Sequence, residues 1–164
     1  MIKLINAIKK CKVSDLLIYI LSAELVGVAS SLFAGNFGDI YLTLERPPLS
    51  PPGIVFPVVW SILYALMGAS ACIIGASNTD KKDIQSALRI YCIQLLVNFS
   101  WSIVFFRFQA LWTAVIVIIA LLILIIVMIV KFYRINRAAA FINIPYLLWV
   151  IFAGYLNIAT AIIN

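Results

Sequence analysis

Apolar positions run in five long stretches, about residues 16–35, 53–77, 84–106, 109–131 and 138–163, with short polar breaks between most of them. Each is long enough to cross the ~30 Å hydrocarbon layer as a helix, which takes about 20 largely apolar residues. The pattern predicts an all-α integral membrane protein: one domain over residues 1–164, a bundle of five transmembrane helices with a single longer connection at residues 36–52. That connection is rich in proline. Five of the six prolines fall between Asp39 and Trp60, and proline fixes φ, removes a backbone donor and disfavours the helical region for the residue before it. Pro47 to Pro52 are therefore expected to be extended, with the second helix starting beyond them and Pro57 in its first turn, where a missing N–H costs least.

The faces of the stretches differ in chemistry. The first carries Ala23, Gly27, Ser31 and Gly35 at steps of four, a small-residue ridge that lets another helix approach closely, either in the same chain or in a second copy. Glu24 lies inside it, and a charged group at that depth costs about 3 kcal/mol on insertion scales unless it is neutral or near the interface. The second stretch sets Phe56, Trp60, Tyr64 and Met67 on one face. The third does the same with Gln94, Asn98, Trp101 and Phe105. Two side-chain amides within the bilayer must find partners, on neighbouring helices or on a ligand in a cavity. From Ala114 to Val130 the fourth stretch has no polar side chain and no glycine, as expected of a structural helix mostly facing lipid. In the fifth, Pro145 removes the hydrogen bond to the Phe141 carbonyl and should kink the helix, while Ile142, Tyr146, Trp149, Ala153 and Leu156 line one face. Three aromatic faces, on the second, third and fifth stretches, either pack on one another or wall a pocket for a flat ligand.

Composition agrees: 65% of the residues are hydrophobic and 11% charged. The net charge of +6 does not indicate nucleic acid, because the basic residues sit at the ends of apolar runs. Lys3, Lys9, Lys10, Lys12, Lys81, Lys82, Arg89, Lys131, Arg134 and Arg137 would share one side of the membrane, leaving Arg46 and Arg107 on the other. The positive-inside rule then places the N-terminus in the cytoplasm and the Pro-rich loop and C-terminus outside. The first 35 residues also have the form of a signal peptide, but the apolar run is long and lacks a clear cleavage site, which favours an uncleaved helix. Cys11, Cys72 and Cys92 are scattered, and their spacing implies neither a disulfide framework nor a metal site. With no histidine, no phosphate loop and no paired acids, no conventional catalytic motif is present.

Four motifs occur in sequence: Tyr41 to Trp60 with Arg46-Pro47 and Pro51-Pro52; Leu63-Tyr64-Ala65-Leu66-Met67-Gly68; Gln94-Leu95 with Asn98, Trp101-Ser102 and Phe105-Phe106; and Pro145-Tyr146-Leu147-Leu148-Trp149-Val150 with Phe152-Ala153 and Tyr155-Leu156-Asn157. In these the chain resembles the TspO/MBR family, the bacterial tryptophan-rich sensory proteins and the mitochondrial translocator protein (peripheral-type benzodiazepine receptor). The resemblance implies a five-helix fold, often a homodimer. It also implies a pocket beneath the first loop for porphyrins and for isoquinoline carboxamide or benzodiazepine-type ligands. Matched motif by motif, it places ligand contacts at Tyr41, Trp60, Asn98, Trp101, Trp149 and Ala153. Gln94, Phe105 and Tyr146 join them on the same helix faces, and Arg46 is either a partner for a propionate or a plain interfacial charge. Leu49, Ile54 and Ile40 stand where many members have tryptophan, the fourth stretch lacks an acid many carry, and no basic residue follows Tyr155 as in the animal cholesterol motif.

The expectation is a receptor or carrier in a bacterial cell membrane that takes a tetrapyrrole of the protoporphyrin IX type as ligand, needs no cofactor or metal, and recognises the macrocycle rather than ligating iron through imidazole. Two alternatives stand beside it. One is slow light-dependent porphyrin breakdown with Trp60 and Trp149 as redox partners. The other is a dimeric scaffold or regulator.

Overall fold

The computed structural model describes residues 11–35, 40 and 43–164. Tyr41, named above as a loop contact, lies outside the described residues. The elements are α1 (Val13–Ala34), α2 (Val55–Gly75), α3 (Lys81–Ser102) running into a π-helical turn (Ile103–Arg107), α4 (Leu111–Ile135), α5 (Arg137–Ile142) and α6 (Ile144–Ile163). With the π turn counted into α3, and α5 and α6 together forming one span, five helical segments are long and apolar enough to cross a membrane. The fold is an all-α transmembrane bundle. Around it the order is α1, α3, α4, the α5/α6 pair and α2, which returns to α1.

Capping explains where several elements begin. The Asp80 side chain accepts from the Lys82 amide at 2.9 Å, opening α3, and Asn136 accepts from the amides of Ala138 and Ala139 to open α5. The fifth stretch breaks at Asn143, two residues before Pro145, instead of kinking at the proline. Asn143 ends α5, and Pro145 becomes the second residue of α6, where its missing N–H is harmless. The Asn143 amide then holds the break together by donating to Ser70 Oγ and to the Ala139 carbonyl, both at 2.8 Å.

The small-residue ridge of α1 faces α2 of the same chain. A Cβ on Gly27 would collide with the ring of Tyr64, and one on Gly68 would stand 2.6 Å from the Ile20 Cα and the Tyr19 carbonyl. Substitution at Gly27 is thus a probe of this intrachain contact before it is a probe of assembly. Ser30 adds a polar tie from α1, donating to the Phe99 carbonyl at 3.0 Å. Toward lipid α1 presents Leu17, Leu21, Leu25 and Leu32, all exposed.

α4 is less uniform than its composition suggests. Ile118, Leu121, Ile125, Met128 and Phe132 are buried along one face, while Ile116, Ile119, Ile123 and Ile126 are exposed. An all-apolar helix has no polar face to reveal which side packs.

Two further expectations need correcting. Cys11 and Cys72 form a disulfide, joining the start of α1 to the end of α2 with Cα atoms 6.2 Å apart, whereas Cys92 is free and exposed. Spacing of 61 residues carries no hint of this pairing, because it arises from the antiparallel packing of α1 on α2. The Pro-rich connection also turns instead of staying extended. Leu49 takes φ 68°, and the Ser50 amide and hydroxyl both donate to the Pro47 carbonyl, at 3.3 and 2.7 Å. Pro48 at the second position and a positive φ at the third are what a type II turn requires. The loop is then tied to the end of α6. The Tyr155 hydroxyl donates to the Pro48 carbonyl at 3.0 Å, and Asn164 exchanges two hydrogen bonds with the backbone of Glu45 at 2.9 and 3.1 Å. The loop and the C-terminal end of α6 therefore lie at the same end of the bundle.

Candidate ligand site

Two cavities flank a partition of aromatic rings near the loop end of the bundle. The larger, about 270 Å³, lies between α1, α2 and the end of α3, lined by Glu24, Gly27, Val28, Ser31 and Ala34 of α1, Phe56, Pro57, Trp60, Ser61 and Tyr64 of α2, and Trp101, Ser102 and Phe106. Its volume is close to the lower end of the ~300–1,000 Å³ typical of small-molecule sites. The smaller, about 40 Å³, sits under Ser50 of the loop, between Phe105 and α6 residues Ala153, Leu156, Asn157 and Thr160. Phe56, Trp101 and Phe106 border both.

The π turn builds this partition. The Phe108 amide bonds to the Ile103 carbonyl at 3.1 Å, five residues back, so one extra residue is accommodated in the turn and the register of the following side chains shifts. Phe105 stacks on Trp101 with centroids 5.4 Å apart, and Phe106 meets the same ring edge-on at 6.0 Å. Both phenylalanines are buried, Phe105 bordering the smaller cavity and Phe106 bordering both. Trp101 is held in place by its indole N–H, which donates to Asn157 Oδ1 at 2.9 Å.

The amides of α3 lie below the cavities in a closed polar chain. Tyr64 donates to Asn98 Oδ1 at 2.9 Å, Asn98 Nδ2 donates to the Tyr146 hydroxyl at 2.9 Å, and Tyr146 donates to Gln94 Oε1 at 2.8 Å. Gln94, Asn98 and Tyr146 are all buried. Each amide thus has the partner that membrane burial demands, linking α2, α3 and α6.

The residues singled out from sequence therefore fall into separate groups. Trp60 and Trp101 line the larger cavity, and Trp101, Phe105 and Ala153 line the smaller. Gln94, Asn98 and Tyr146 form the polar floor, with the Trp60 ring against Tyr64 at 5.6 Å and against Tyr146 at 6.2 Å. Trp149 stands behind Phe56, edge-on at 6.0 Å, where it borders a shallow groove with Val59, Leu63 and Phe152. Its indole N–H is buried with no hydrogen-bond partner among the described residues. Arg46 is exposed in the loop. Sequence reasoning put no α1 residue in the pocket, although Glu24, Gly27 and Ser31 at steps of three and four share a face. Phe106 stands in the third motif but not among the contacts expected from sequence, and the structure places it on both cavities.

The sequence profile of the TspO/MBR family matches residues 19–163. The chain belongs to the TspO/MBR family. Relatives include the tryptophan-rich protein TspO of Chlorobaculum tepidum, 34% identical over 140 residues, 85% of this chain and 89% of that protein. The protein of the same name from Archaeoglobus fulgidus is 35% identical over 146 residues, 88% of this chain and 94% of its own. The translocator protein of Bos taurus is 28% identical over 118 residues, 71% of this chain and 70% of that one. The TspO/MBR match and the five apolar spans together make this an integral membrane protein.

Proposed function

We propose that this TspO/MBR chain is a membrane receptor or carrier for flat apolar ligands, tetrapyrroles of the protoporphyrin IX type foremost, with isoquinoline carboxamide and benzodiazepine-type compounds entering the same site. The observation that carries this reading is the ≈ 270 Å³ cavity bordered by five aromatic rings, those of Phe56, Trp60, Tyr64, Trp101 and Phe106. Aromatic faces favour offset stacking on a planar partner. Arg46, in the loop at the open end of the bundle, is the candidate partner for a propionate. The charge distribution supports an N-terminus in the cytoplasm and the loop on the opposite side.

The test is a titration with protoporphyrin IX in the dark, following tryptophan fluorescence and the porphyrin absorbance band. Saturable binding weakened more by Trp60→Phe than by Trp149→Phe is the expected result, because Trp60 borders the cavity and Trp149 stands behind Phe56. Absence of saturable binding, or binding indifferent to Trp60, overturns the reading. The packing of Trp60 on both Tyr64 and Tyr146 favours a second reading, light-dependent breakdown, in which Trp60 gives an electron to the excited macrocycle and is re-reduced through the adjoining tyrosines, with dissolved dioxygen as the oxidant that takes up the electron and attacks the ring. Loss of the porphyrin band only under illumination, and only with Trp60 present, distinguishes breakdown from carriage.

A further inference from the structure

Glu24 has no structural task that the fold reveals. It lies midway along α1 and borders the inner end of the larger cavity with Tyr64. Ten residues separate it from Ala34 at the loop end of α1, which places it about 15 Å down the helix, near mid-bilayer. Among the described residues none hydrogen-bonds or ion-pairs with it, and no lysine or arginine borders the cavity. A glutamine or leucine there would avoid the cost of a deep acid.

What surrounds the carboxyl is suited to a cation. Trp60, Tyr64 and Ser61 line the same cavity as Glu24, with the two rings in contact at 5.6 Å. Aromatic faces attract ammonium groups through their quadrupoles, and more strongly when water is excluded. A carboxylate in the same low-dielectric space adds a charge-assisted hydrogen bond.

We propose that the inner end of this cavity is an ammonium site, so that the protein binds lipophilic amines: molecules with an apolar body and a single protonated nitrogen. The ammonium pairs with Glu24 against Trp60 and Tyr64, and the body extends toward Phe56 and Phe106. The same carboxylate turns carboxylate-bearing ligands the other way, with their acids at the loop end. This site shares its cavity with the porphyrin reading but not its ligand.

The test uses dansylcadaverine, which carries one primary amine, and its neutral N-acetyl derivative. Each is titrated into protein in phosphatidylcholine nanodiscs, with empty discs as the blank, and followed by energy transfer from tryptophan. Wild-type protein is expected to bind the amine at least tenfold tighter than the acetyl derivative. Glu24→Gln should bring that ratio to about one, and Glu24→Asp should retain part of the preference. A ratio equal in wild type and Glu24→Gln overturns the site, as does a wild type that shows no saturable amine binding. Protoporphyrin IX titrated into the same discs shows separately whether the porphyrin reading stands.

Discussion

The ring of Tyr64 rests on the backbone of Gly27, in space that any side chain would occupy, and its hydroxyl is fixed by the 2.9 Å bond to Asn98. The ring cannot retreat without breaking that bond. Gly27→Ala should therefore cost about 1–3 kcal/mol from overpacking, partly offset by the better helix propensity of alanine. It should also push Tyr64 toward Trp60 and narrow the inner end of the cavity. A lowered thermal midpoint in detergent together with weaker ligand binding is the expected pair of results. A variant as stable as wild type would show that the two helices have room to separate.

The Tyr64–Asn98–Tyr146–Gln94 chain leads to a second prediction. Asn98→Leu removes the central link and breaks two strong bonds: the Tyr64 hydroxyl loses its acceptor in an apolar interior, and Tyr146 loses the Asn98 donor while keeping its bond to Gln94. Each buried polar group so stranded costs about 1–3 kcal/mol, so the loss should exceed that of Gln94→Leu, which strands only the Tyr146 bond and the weak 3.7 Å contact to Met67 sulfur. Thermal unfolding of the two variants side by side gives the order. Equal stability would mean that the hydroxyls find new partners among themselves.

The five spans were legible because twenty-residue apolar runs have few alternatives in a chain of this composition, and Pro57 did mark the first turn of α2. Which cavity the aromatic faces would border was not. Helix faces drawn at 3.6 residues per turn put Trp101, Phe105 and Trp149 around one space. The π turn instead brings Phe106 beside Phe105 on the Trp101 ring, and the Phe56–Trp149 contact sets Trp149 behind the wall. The small-residue ridge of α1 leaves open whether its partner is in the same chain or a second copy, and in the structure its Gly27 meets Tyr64 of α2. Periodicity tells which residues share a face. It does not tell which neighbour the face meets.

The Cys11–Cys72 pairing makes a chemical prediction. Alkylation of the denatured, unreduced protein should modify Cys92 alone, and reduction before alkylation should raise the count to three, read by intact mass. Closing a loop of 61 residues stabilises by about 4 kcal/mol in the chain-entropy model. The gain here should be smaller, since helices persist in the membrane-bound unfolded state and restrict the loop already. Cys72→Ser should accordingly lower the thermal midpoint modestly and leave ligand affinity intact, because the bond lies at the end of α2 away from Trp60.

The Pro-rich loop is tied to α6 by Tyr155, which bonds the Pro48 carbonyl, and by Asn164, which bonds the backbone of Glu45. Both anchors are exposed in the described structure, so each is worth only about 0.5–1.5 kcal/mol and global stability should barely change on losing one. The local effect should be larger. Ser50 covers the smaller cavity, and its position depends on the turn whose Pro48 carbonyl Tyr155 holds. Tyr155→Phe should speed amide exchange of residues 49–50 and raise the off-rate of a bound ligand more than it changes the on-rate. The double variant with Asn164→Ala should exceed the sum of the singles if the two anchors restrain one segment cooperatively. Exchange rates unchanged in the double variant would show that the loop is ordered by its own prolines and turn, with the α6 contacts incidental.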